Sequence, residues 1–385
     1  MKILFVSMPS VHVIRWIENL KDTNHELYWF DILDRGKLET LDSVQQFIGW
    51  KKRKIPYIKG EYFLSKKLPA LYRRIIPFCE TTVNEALENI ILEIQPDVIH
   101  SFEMQSCSYP ILATMKSQPK IMWLYSCWGN DLYYYQRFPF HLEKIKEILK
   151  RINFLHTDCQ RDYVLAKQFG FLGKHVGVIP GGTGYKLEEL ESYKIPISDR
   201  VVILVKGYEH TLGRGLNIIK VLDSLKNEIQ NFEVVIFAAH SSVVDYIKIN
   251  NLDFKVFDRN ALSHLEIMKL MGKSLIYIGN SISDGMPNTL LEAIIMGAFP
   301  IQSNPGNVTA EIIVNGKNGL LISDAESIIE IKGLILNIIN KKDILEDAFL
   351  TNQKIAIERL NYLVNKKKVN KIYNLIGNAS RLQSI

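Results

Sequence analysis

At 385 residues the chain is too long for one hydrophobic core, and this length predicts two domains. A composition of 47% hydrophobic and 23% charged residues is typical of a globular protein, and apolar runs such as Ile111–Met115 are too short to cross a bilayer. The formal net charge is +6, and the distribution of the cations is more informative than their sum.

The N-terminus and the cysteines both indicate a cytoplasmic protein. The apolar run that follows Lys2 reaches Pro9 too soon for a secretory signal peptide. The four cysteines form no CxxC pair, and only His156 lies near one of them. We therefore expect reduced thiols and no metal site.

Short apolar runs recur along the chain, with helix-like segments between them. In the first half they are Lys2–Val6, His25–Ile32, Pro96–Phe102, Ile121–Ser126, Asn153–Thr157 and Val176–Pro180. In the second half they are Val201–Gly207, Phe232–Ala238, Phe254–Phe257, Ser274–Gly279, Phe299–Ser303 and Gly319–Ser323. Most are continuous rather than alternating, as in parallel strands buried on both faces. The pattern predicts an α/β protein with two doubly wound, Rossmann-like domains that face each other across a cleft.

The two predicted halves are separated by the glycine cluster Gly181–Gly184 and the polar stretch after it. We expect an N-terminal domain of residues 1–184 and a C-terminal domain of residues 185–355. The last segment, 356–385, is amphipathic and rich in lysine, and we expect it to pack back on the N-terminal domain.

The segment Trp50–Pro77 carries nine Lys or Arg side chains and one Glu, with aromatic and leucine side chains between them. Such a segment suits an anionic membrane surface or a lipid-diphosphate acceptor. It would also suit nucleic acid, but no nucleic-acid-binding motif accompanies it. A solvated surface helix is a further alternative. We predict a peripheral protein on the inner face of the membrane that binds no nucleic acid.

The first strand of the second half leads into Val205–Gly215 (VKGYEHTLGRG), which places Lys206, His210 and Arg214 at its C-terminal end. Two cations that flank a glycine-rich turn suit a diphosphate, with Arg as a two-pronged donor and Lys as a point charge. Two solvated loop cations are the alternative. The chain has no GxGxxG after a strand, no P-loop and no DxD pair, so neither a dinucleotide nor a metal–nucleotide site is expected.

Two carboxylates, Asp284 and Glu292, stand eight positions apart in Ile282–Pro300 (ISDGMPNTLLEAIIMGAFP). A Gly-Met-Pro turn separates them, and Asn288 is expected to cap a helix that starts near Thr289. The free N–H groups at such a helix start suit an anion, with a hydroxyl-rich group on each side. An ordinary loop Asp and a solvated helix Glu are the alternative.

These motifs resemble the retaining glycosyltransferases of family 4, which have the two-domain GT-B fold. In that family a Glu-x7-Glu motif lies at this place, and the resemblance implies that Glu292 binds the nucleotide ribose. Asp284, one methylene shorter than the family's first Glu, is then the residue that contacts the transferred sugar. Lys206 and Arg214 resemble the family's diphosphate pair, although their spacing is longer and their order is reversed. Asp284, Lys206 and Arg214 are thus the expected catalytic residues.

The donor side follows from the same resemblance. Gly285, Met286 and Asn288 match the family's turn, whose backbone amides face the sugar and the phosphate. The expected donor-binding residues are Gly207, His210, Gly285, Met286, Pro287, Asn288, Thr289 and Glu292.

The first half matches the family more loosely. Asp97–His100 resembles its Asp-x-x-His strand end, and Ser126–Asp131 resembles its His-Gly-Ser-Asp turn with Trp128 in place of the histidine. Trp128 either stacks on a sugar ring or packs under the loop, and His100 is either functional or a hydrogen-bonded residue at a strand end. The expected acceptor-side or sugar-side residues are Ser10, His12, His100, Glu103, Trp128 and Asp131.

The resemblance implies transfer of a sugar from a nucleoside diphosphate with retention at the anomeric carbon. No metal or other cofactor is expected, since two cations and a helix N-terminus can carry the charge of the leaving group. The donor is expected to be a UDP- or GDP-sugar, with UDP preferred, and the acceptor a lipid-linked glycan such as a capsule or O-antigen precursor. A nucleotide-sugar epimerase, a sugar phosphorylase and a non-catalytic binding protein of the same fold are the alternatives.

Overall fold

The computed structural model describes residues 1–180 and 183–383, without the side chains of residues 342 and 381–383. Over these residues the chain forms two α/β domains, each built on one parallel β-sheet. This architecture confirms the predicted fold class. The expected linker, Gly181–Gly184, lies partly outside the described residues.

The N-terminal sheet has seven parallel strands in the order β3-β2-β1-β4-β5-β6-β7. They are β1 (Lys2–Ser7), β2 (Glu26–Asp31), β3 (Gln45–Phe47), β4 (Val98–Phe102), β5 (Met122–Cys127), β6 (Phe154–Thr157) and β7 (Lys174–Val178). The central strands β4 and β5 are buried at every position, which is why their sequences are continuous apolar runs. The edge strand β3 was not predicted, because three residues without an apolar run carry no periodic pattern.

Eight α-helices belong to this part of the described chain, and a ninth follows the last strand. They are α1 (Val11–Glu18), α2 (Glu61–Lys67), α3 (Pro69–Cys79), α4 (Val83–Ile94), α5 (Tyr109–Ser117), α6 (Asn130–Tyr133), α7 (Pro139–Arg151), α8 (Gln160–Gln168) and α9 (Leu187–Leu190). The start of α4 shows how the sequence fixes a boundary. Thr82 and Glu85 form a capping box there, which satisfies two backbone N–H groups that the helix leaves free.

The C-terminal sheet has six parallel strands in the order β10-β9-β8-β11-β12-β13. They are β8 (Val202–Lys206), β9 (Glu233–Ala239), β10 (Lys255–Asp258), β11 (Ser274–Gly279), β12 (Phe299–Ser303) and β13 (Leu320–Ile322). The helices of this domain are α10 (Gly215–Ser224), α11 (Ser241–Ile249), α12 (His264–Lys273), α13 (Asn288–Met296), α14 (Ile328–Ile338) and α15 (Lys342–Ile355). In both sheets the loops that matter below follow the C-terminal ends of the central strands.

The last helix, α16 (Tyr362–Gln383), returns to the N-terminal domain. Val369, Ile372 and Ile376 are buried in one cluster with Ile3 and Phe5 of β1. This apolar contact makes the end of the chain part of the N-terminal core. Ahead of α16, a π-helical turn spans Ala356–Leu360.

Two chain segments cross side by side between the domains. The N–H of Tyr185 donates to the carbonyl of Leu360 at 2.8 Å, and the N–H of Tyr362 donates back to the carbonyl of Tyr185 at 2.8 Å. The outgoing and returning crossings are thereby joined by backbone hydrogen bonds.

The domains also touch across the cleft, where the loop after β5 meets the loop after β11. A Cβ atom on Gly129 would lie 1.8 Å from the backbone nitrogen of Gly285, so neither position has space for a side chain. The hydroxyl of Ser283 donates to the side-chain oxygen of Asn130 at 2.7 Å. The two loops are in direct contact, and both contribute to the walls of the two cavities described below.

Within the described residues, no helix has both the length and the apolar content that a membrane span requires.

Candidate active site

Two neighbouring cavities lie between the domains. The larger interdomain cavity, of about 430 Å³, is lined by His12, Trp16, Phe102, Glu103, Ser126, Cys127, Trp128, Gly129, Asn130, Asp131, Tyr135, His156, Asp158, Asp284, Met286 and Asn288. The smaller interdomain cavity, of about 220 Å³, is lined by Asn130, Lys206, Tyr208, His210, Leu212, Gly213, Tyr277, Gly279, Asn280, Ser281, Ser283, Asp284, Pro287, Thr289 and Gln302. Asn130 and Asp284 belong to both walls, so the two cavities meet at these side chains.

Asp284 stands where the cavities meet, at the turn between β11 and α13. Its carboxylate accepts a hydrogen bond from the backbone N–H of Gly285 at 2.9 Å. Burial raises the pKa of Asp284, while the Lys206 ammonium, this N–H group and Arg161 oppose the rise. Because it lies where the cavities meet, the Asp284 carboxyl group would contact any ligand that extends through both of them.

Helix α13 begins at Asn288 and not at Thr289, and Pro287 holds the cap position without a side-chain hydrogen bond. The predicted cap by Asn288 is thus wrong: its side-chain nitrogen lies 3.3 Å from Nδ1 of His12, across the cleft. Pro287 and Thr289 line the smaller cavity, so the first turn of the helix faces it. The free N–H groups of a first turn carry partial positive charge.

Lys206 ends β8 and lines the smaller cavity, with its ammonium 4.4 Å from the centre of the Tyr208 ring. His210 lines the same cavity. Its pKa is lowered by burial and by its neighbours His240, Lys206, Arg259 and Arg214, in that order. A neutral imidazole among cations marks this wall as electropositive.

Arg214 is placed differently from Lys206. Its guanidinium pairs with the carboxylate of Glu326 and donates to the carbonyls of His210 at 3.1 Å and Gly213 at 2.7 Å. It lines neither interdomain cavity, so the structure brings one cation of the predicted pair into the site and leaves the other paired with Glu326 outside both walls. Gly207 also lies outside both walls. A Cβ atom there would lie 2.7 Å from Cα of Ala239, so close packing against β9 requires glycine at this position.

Glu292 is 4% exposed on α13 and lines neither interdomain cavity. Its Oε1 accepts from Nε2 of His264 at 2.7 Å and from the Tyr185 hydroxyl at 3.3 Å. Both partners line a separate groove of about 290 Å³. The predicted ribose carboxylate is therefore covered by a histidine whose side chain is 48% exposed.

On the N-terminal side, Trp128 lines the larger cavity and packs against His12, with ring centres 5.5 Å apart in an edge-to-face arrangement. Its backbone N–H donates to Asp131 at 2.9 Å. Asp131 also accepts from the N–H of Met104 at 3.0 Å and from the Tyr125 hydroxyl at 2.6 Å. Burial and then the charge of Glu103 raise the pKa of Asp131 well above its usual range. Asp131 thus organises the loop that carries Trp128.

Glu103 lies on the wall of the larger cavity in a strained backbone conformation, with φ 68° and ψ 140°. Its carboxylate accepts from the N–H groups of Gln105 and Ser106. Burial raises its pKa, and these two N–H groups oppose the rise. Strain of this kind persists only where the surroundings impose it.

Two predicted acceptor-side residues do not reach the cavity wall. His100 is fully buried, with Nδ1 2.7 Å from the Tyr373 hydroxyl and Nε2 2.7 Å from the Ser126 hydroxyl, so the hydrogen-bonded strand-end alternative describes it. Ser10 caps α1 by accepting from the N–H of His12 at 3.2 Å.

The sequence interpretation missed the residues that β6 contributes. His156 and Asp158 stand at its C-terminal end and line the larger cavity. The available signal was the polar tripeptide 156–158 at the end of an apolar run, of which only His156 was weighed, as a neighbour of Cys159 in a metal site.

Asp158, Cys159 and Asp162 form one compact cluster of candidate metal ligands. Arg161 neutralises it, since its Nε donates to Asp162 at 2.8 Å. Burial raises the pKa of the Cys159 thiol far above its usual range, so the thiolate that a metal requires is disfavoured. Asp158 instead accepts from the N–H of Met286 at 3.2 Å, across the domain boundary.

Two family models match the chain, Glycosyl transferase 4-like over residues 2–159 and Glycosyl transferases group 1 over residues 187–354. The chain belongs to the group 1 glycosyltransferases. The predicted family resemblance is confirmed for the GT-B fold and for nucleotide-sugar glycosyl transfer. No curated protein sequence matches this glycosyltransferase.

Three solved structures are similar to this glycosyltransferase over nearly its whole length, at low identity. A sucrose-phosphate synthase from Thermosynechococcus elongatus is 14% identical with a TM-score of 0.72, covering 98% of this chain and 100% of that chain. Anabaena Alr3699/HepE in complex with UDP and glucose is 14% identical with a TM-score of 0.66, covering 97% and 99%. A glycosyltransferase from Rickettsia africae ESF-5 is 15% identical with a TM-score of 0.61, covering 98% of each chain. At these identities the likeness shows the fold.

Proposed function

We propose that this glycosyltransferase moves a sugar from a UDP-sugar to a glycan acceptor, with retention at the anomeric carbon and without a metal ion. The observation that carries the proposal is the meeting of two unlike cavities at Asp284. One has a lysine and a helix start on its wall, and the other has aromatic rings and carboxyl groups. A donor diphosphate suits the first, and sugar rings suit the second.

In this proposal the diphosphate occupies the smaller cavity. Lys206 and the first turn of α13 face the same space, and a fixed ammonium together with free N–H groups stabilises the charge that grows on the leaving phosphate. The choice of UDP is supported by the similar Anabaena structure, which was solved with UDP and glucose. Glu292 binds the ribose once the His264 side chain has moved away from it.

The transferred sugar lies at Asp284, and the acceptor enters the larger cavity. Asp284 is the carboxylate at the boundary between the two cavities, and we assign it to positioning the sugar. The acceptor hydroxyl approaches from the same side as the leaving phosphate, which is the geometry of a front-face displacement with retention.

We further propose that the acceptor is lipid-linked and that the enzyme binds the inner face of the membrane through the basic-aromatic patch, Tyr57–Phe78. Tyr57, Tyr62 and Phe78 are 78%, 77% and 78% exposed on or beside α2 and α3. Lys59, Lys66, Lys67, Arg73 and Arg74 surround them and are exposed. Aromatic rings with cations around them match an anionic bilayer in both polarity and charge.

Two cations of the predicted basic segment have structural partners instead. Arg53 donates to both oxygens of Glu61 at 2.6 and 2.8 Å and to Glu80 at 3.1 Å, and it lowers the pKa of Glu61 to about 2. Lys54 pairs with Glu85 at 2.6 Å. Because Arg53 and Lys54 form ion pairs within the protein, they are not substituted in the test of lipid binding by the patch.

A thermal-shift screen tests the donor proposal directly. UDP and UDP-sugars should raise the melting temperature more than GDP or GDP-sugars, and neither EDTA nor Mn²⁺ should change the result. Lys206→Ala should reduce the shift modestly, whereas Lys220→Ala, an exposed lysine on α10, should keep it in full. The absence of a shift with any nucleoside diphosphate would contradict the proposal.

Product analysis then separates transfer from the other reactions of this fold. Proton NMR of a glycan incubated with enzyme and donor should show the anomeric configuration of the donor sugar. Epimerised nucleotide-sugar without acceptor, or turnover that depends on inorganic phosphate, would identify an epimerase or a phosphorylase instead.

A further inference from the structure

The larger interdomain cavity contains a histidine to which the reaction outlined above assigns no role. His156 on β6 is 3% exposed and lines this cavity. Its Nε2 atom has no hydrogen-bond partner within the described part of the chain. A buried polar atom without a partner is costly, so its partner is expected to come from outside the protein.

The other nitrogen of His156 is the end of a buried chain of hydrogen bonds. Nδ1 lies 3.0 Å from the hydroxyl of Ser126, which lies 2.7 Å from Nε2 of His100. Nδ1 of His100 lies 2.7 Å from the hydroxyl of Tyr373 on α16. That hydroxyl accepts from the indole N–H of Trp16 at 2.8 Å.

The direction of the chain follows from the Tyr373 hydroxyl. Its oxygen accepts from Trp16, since an indole nitrogen only donates, and His100 Nδ1 is its one other hydrogen-bond partner among the described residues. The hydroxyl hydrogen of Tyr373 therefore goes to Nδ1 of His100. A neutral His100 then carries its hydrogen on Nε2 and donates a hydrogen bond to the Ser126 hydroxyl. That hydroxyl in turn donates a hydrogen bond to Nδ1 of His156. The hydrogen of the neutral His156 ring therefore lies on Nε2, and this nitrogen offers a hydrogen-bond donor to the cavity.

Both histidines stay neutral in this arrangement. Burial lowers the pKa of His100 well below its usual value, and the neighbouring His156 adds to the fall. Burial also lowers the pKa of His156 to about 3, helped by His175; the nearby backbone carbonyl of Ile179 opposes the fall but lies outside hydrogen-bond geometry.

The charge of the cavity wall limits what this donor can bind. Glu103, Asp131, Asp158 and Asp284 place four carboxyl groups on the wall, and the described residues that line it include no Lys or Arg. A phosphate or a carboxylate would lie there without a countercharge. The aromatic rings of the wall, Trp128 among them, suit the apolar face of a sugar ring instead.

We propose that Nε2–H of His156 donates to a hydroxyl or ring oxygen of an uncharged acceptor sugar, and that the chain from Trp16 to Ser126 holds the tautomer that makes this possible. His156 is a binding residue in this scheme, and Ser126, His100 and Tyr373 are positioning residues. The identification of this sugar as the acceptor rests on the proposed glycosyl transfer, whereas the position of the hydrogen on His156 does not.

The position of the hydrogen is measured by NMR of the full chain labelled with ¹⁵N-histidine. His156 and His100, assigned with His156→Gln and His100→Gln, should both be neutral Nε2–H tautomers from pH 5 to pH 8. Tyr373→Phe should shift the tautomer equilibrium of both histidines. Tyr246→Phe, which removes a hydroxyl bonded to Asp223 in the C-terminal domain, should shift neither. A charged His156, or a hydrogen on its Nδ1, overturns the inference.

The ligand class is measured on the same sample with matched probes. Methyl glycosides of glucose, galactose, mannose and N-acetylglucosamine are each titrated, with methyl glucuronide and methyl galacturonide as the charged counterparts. At least one neutral glycoside should shift the Nε2 resonance of His156 at millimolar concentration, and the two uronides should not. Uronides that shift it as strongly, or a panel without any effect, overturn the inference.

Kinetics give a third result once an acceptor is identified. His156→Ala should raise the acceptor KM at least tenfold and leave the donor KM unchanged, and His156→Gln, which keeps an N–H donor, should recover part of the loss. A changed donor KM with a normal acceptor KM would assign His156 to the donor and overturn the inference. If no nucleotide-sugar supports transfer, the proposed function fails while the tautomer and glycoside measurements still decide this inference.

Discussion

The two faces of the cleft differ in charge. The C-terminal face presents Lys206, the first turn of α13 and His210, whose pKa is lowered by burial and by its neighbours, Lys206 among them. The N-terminal face presents aromatic rings with Glu103, Asp131 and Asp158. The difference teaches how one cleft can serve both substrates of the proposed reaction: charge complementarity favours an anionic leaving group on one face and an uncharged sugar on the other.

A substitution that forces the two faces of the cleft apart should have the largest effect on turnover. A Cβ on Gly129 would lie 1.8 Å from the backbone of Gly285, so Gly129→Ala should prevent the loops from meeting. Misplacement by about an ångström costs roughly a hundredfold in rate, and we expect at least that loss in turnover.

The measurement is turnover at saturating donor, with melting curves to show that each domain is still folded. Gly333→Ala is the matched control, since its Cβ would meet nothing within 4 Å in α14. It should keep parental turnover and gain roughly 1 kcal/mol of stability. Parental turnover in Gly129→Ala would show that the loop contact is not needed for reaction.

Removing the cation of the C-terminal face should come next. Lys206→Ala should lower turnover about a hundredfold, or about 3 kcal/mol, with a smaller change in donor affinity. The sequence interpretation expected the same of Arg214, but its pairing with Glu326 predicts a smaller loss, below tenfold. Equal losses in both variants would mean that Arg214 turns into the cleft when the donor binds.

The carboxyl groups of the N-terminal face should make stability depend on pH. Burial and the charge of Asp162 raise the pKa of Asp158 to about 7, opposed by Arg161 and the N–H of Met286. Between about pH 4 and pH 7 the folded protein keeps a proton that the unfolded chain, with an Asp pKa of about 3.9, has lost. The free energy of unfolding should therefore fall by roughly 1.4 kcal/mol per pH unit within this window as pH rises.

Denaturant melts at several pH values between 4 and 8 measure this dependence, and Asp158→Asn should make it shallower, with the remaining slope due to Asp131 and Glu103, whose pKa values are also raised by burial. Asp245→Asn, an exposed carboxylate on α11, is the control and should leave the slope unchanged. A parental slope in Asp158→Asn would assign the proton to another carboxyl group.

The basic-aromatic patch extends the contrast to the outside of the N-terminal domain. Each Lys or Arg at an anionic membrane contributes roughly 1 kcal/mol, screened by salt. The double variant Lys66→Ser, Lys67→Ser should thus weaken sedimentation with anionic vesicles by about 2 kcal/mol at low salt. The pair Lys220→Ser, Lys248→Ser in the C-terminal domain is the control. An equal loss of sedimentation in that variant would show that net charge, rather than the basic-aromatic patch, determines vesicle binding.

Glu292 gives the smallest expected effect. Glu292→Gln should weaken UDP binding about tenfold, which corresponds to about 1.4 kcal/mol. His264→Ala frees the carboxylate and should leave affinity unchanged or tighter. Calorimetry distinguishes the two, and an equal loss in both variants would mean that Glu292 acts only by holding His264.

The sequence predicted the sheets well because buried parallel strands leave an unambiguous pattern. The predicted runs Ser274–Gly279 and Phe299–Ser303 coincide with β11 and β12. The predicted carboxylate Asp284 and cation Lys206 also line the cleft, since Lys206 ends β8 and Asp284 lies on the loop after β11.

Side-chain direction was beyond the sequence. Lys206 and Arg214 look equivalent in a glycine-rich loop, and only the fold places Glu326, more than a hundred residues away, against one of them. The chain from His156 to Tyr373 likewise joins β6 to α16 through contacts that no local pattern records. Long-range partners, rather than local propensity, decide which polar residues face a ligand.

The return of α16 to the first sheet has a consequence for dividing the protein. A fragment ending near residue 184 would leave the pocket for Val369, Ile372 and Ile376 open to water, and a fragment starting there would expose these side chains. Neither half is a contiguous piece of chain, so gene truncation gives two incomplete cores. Co-expression of residues 1–184 with 185–385 should reassemble the enzyme, because the missing helix is then supplied in trans.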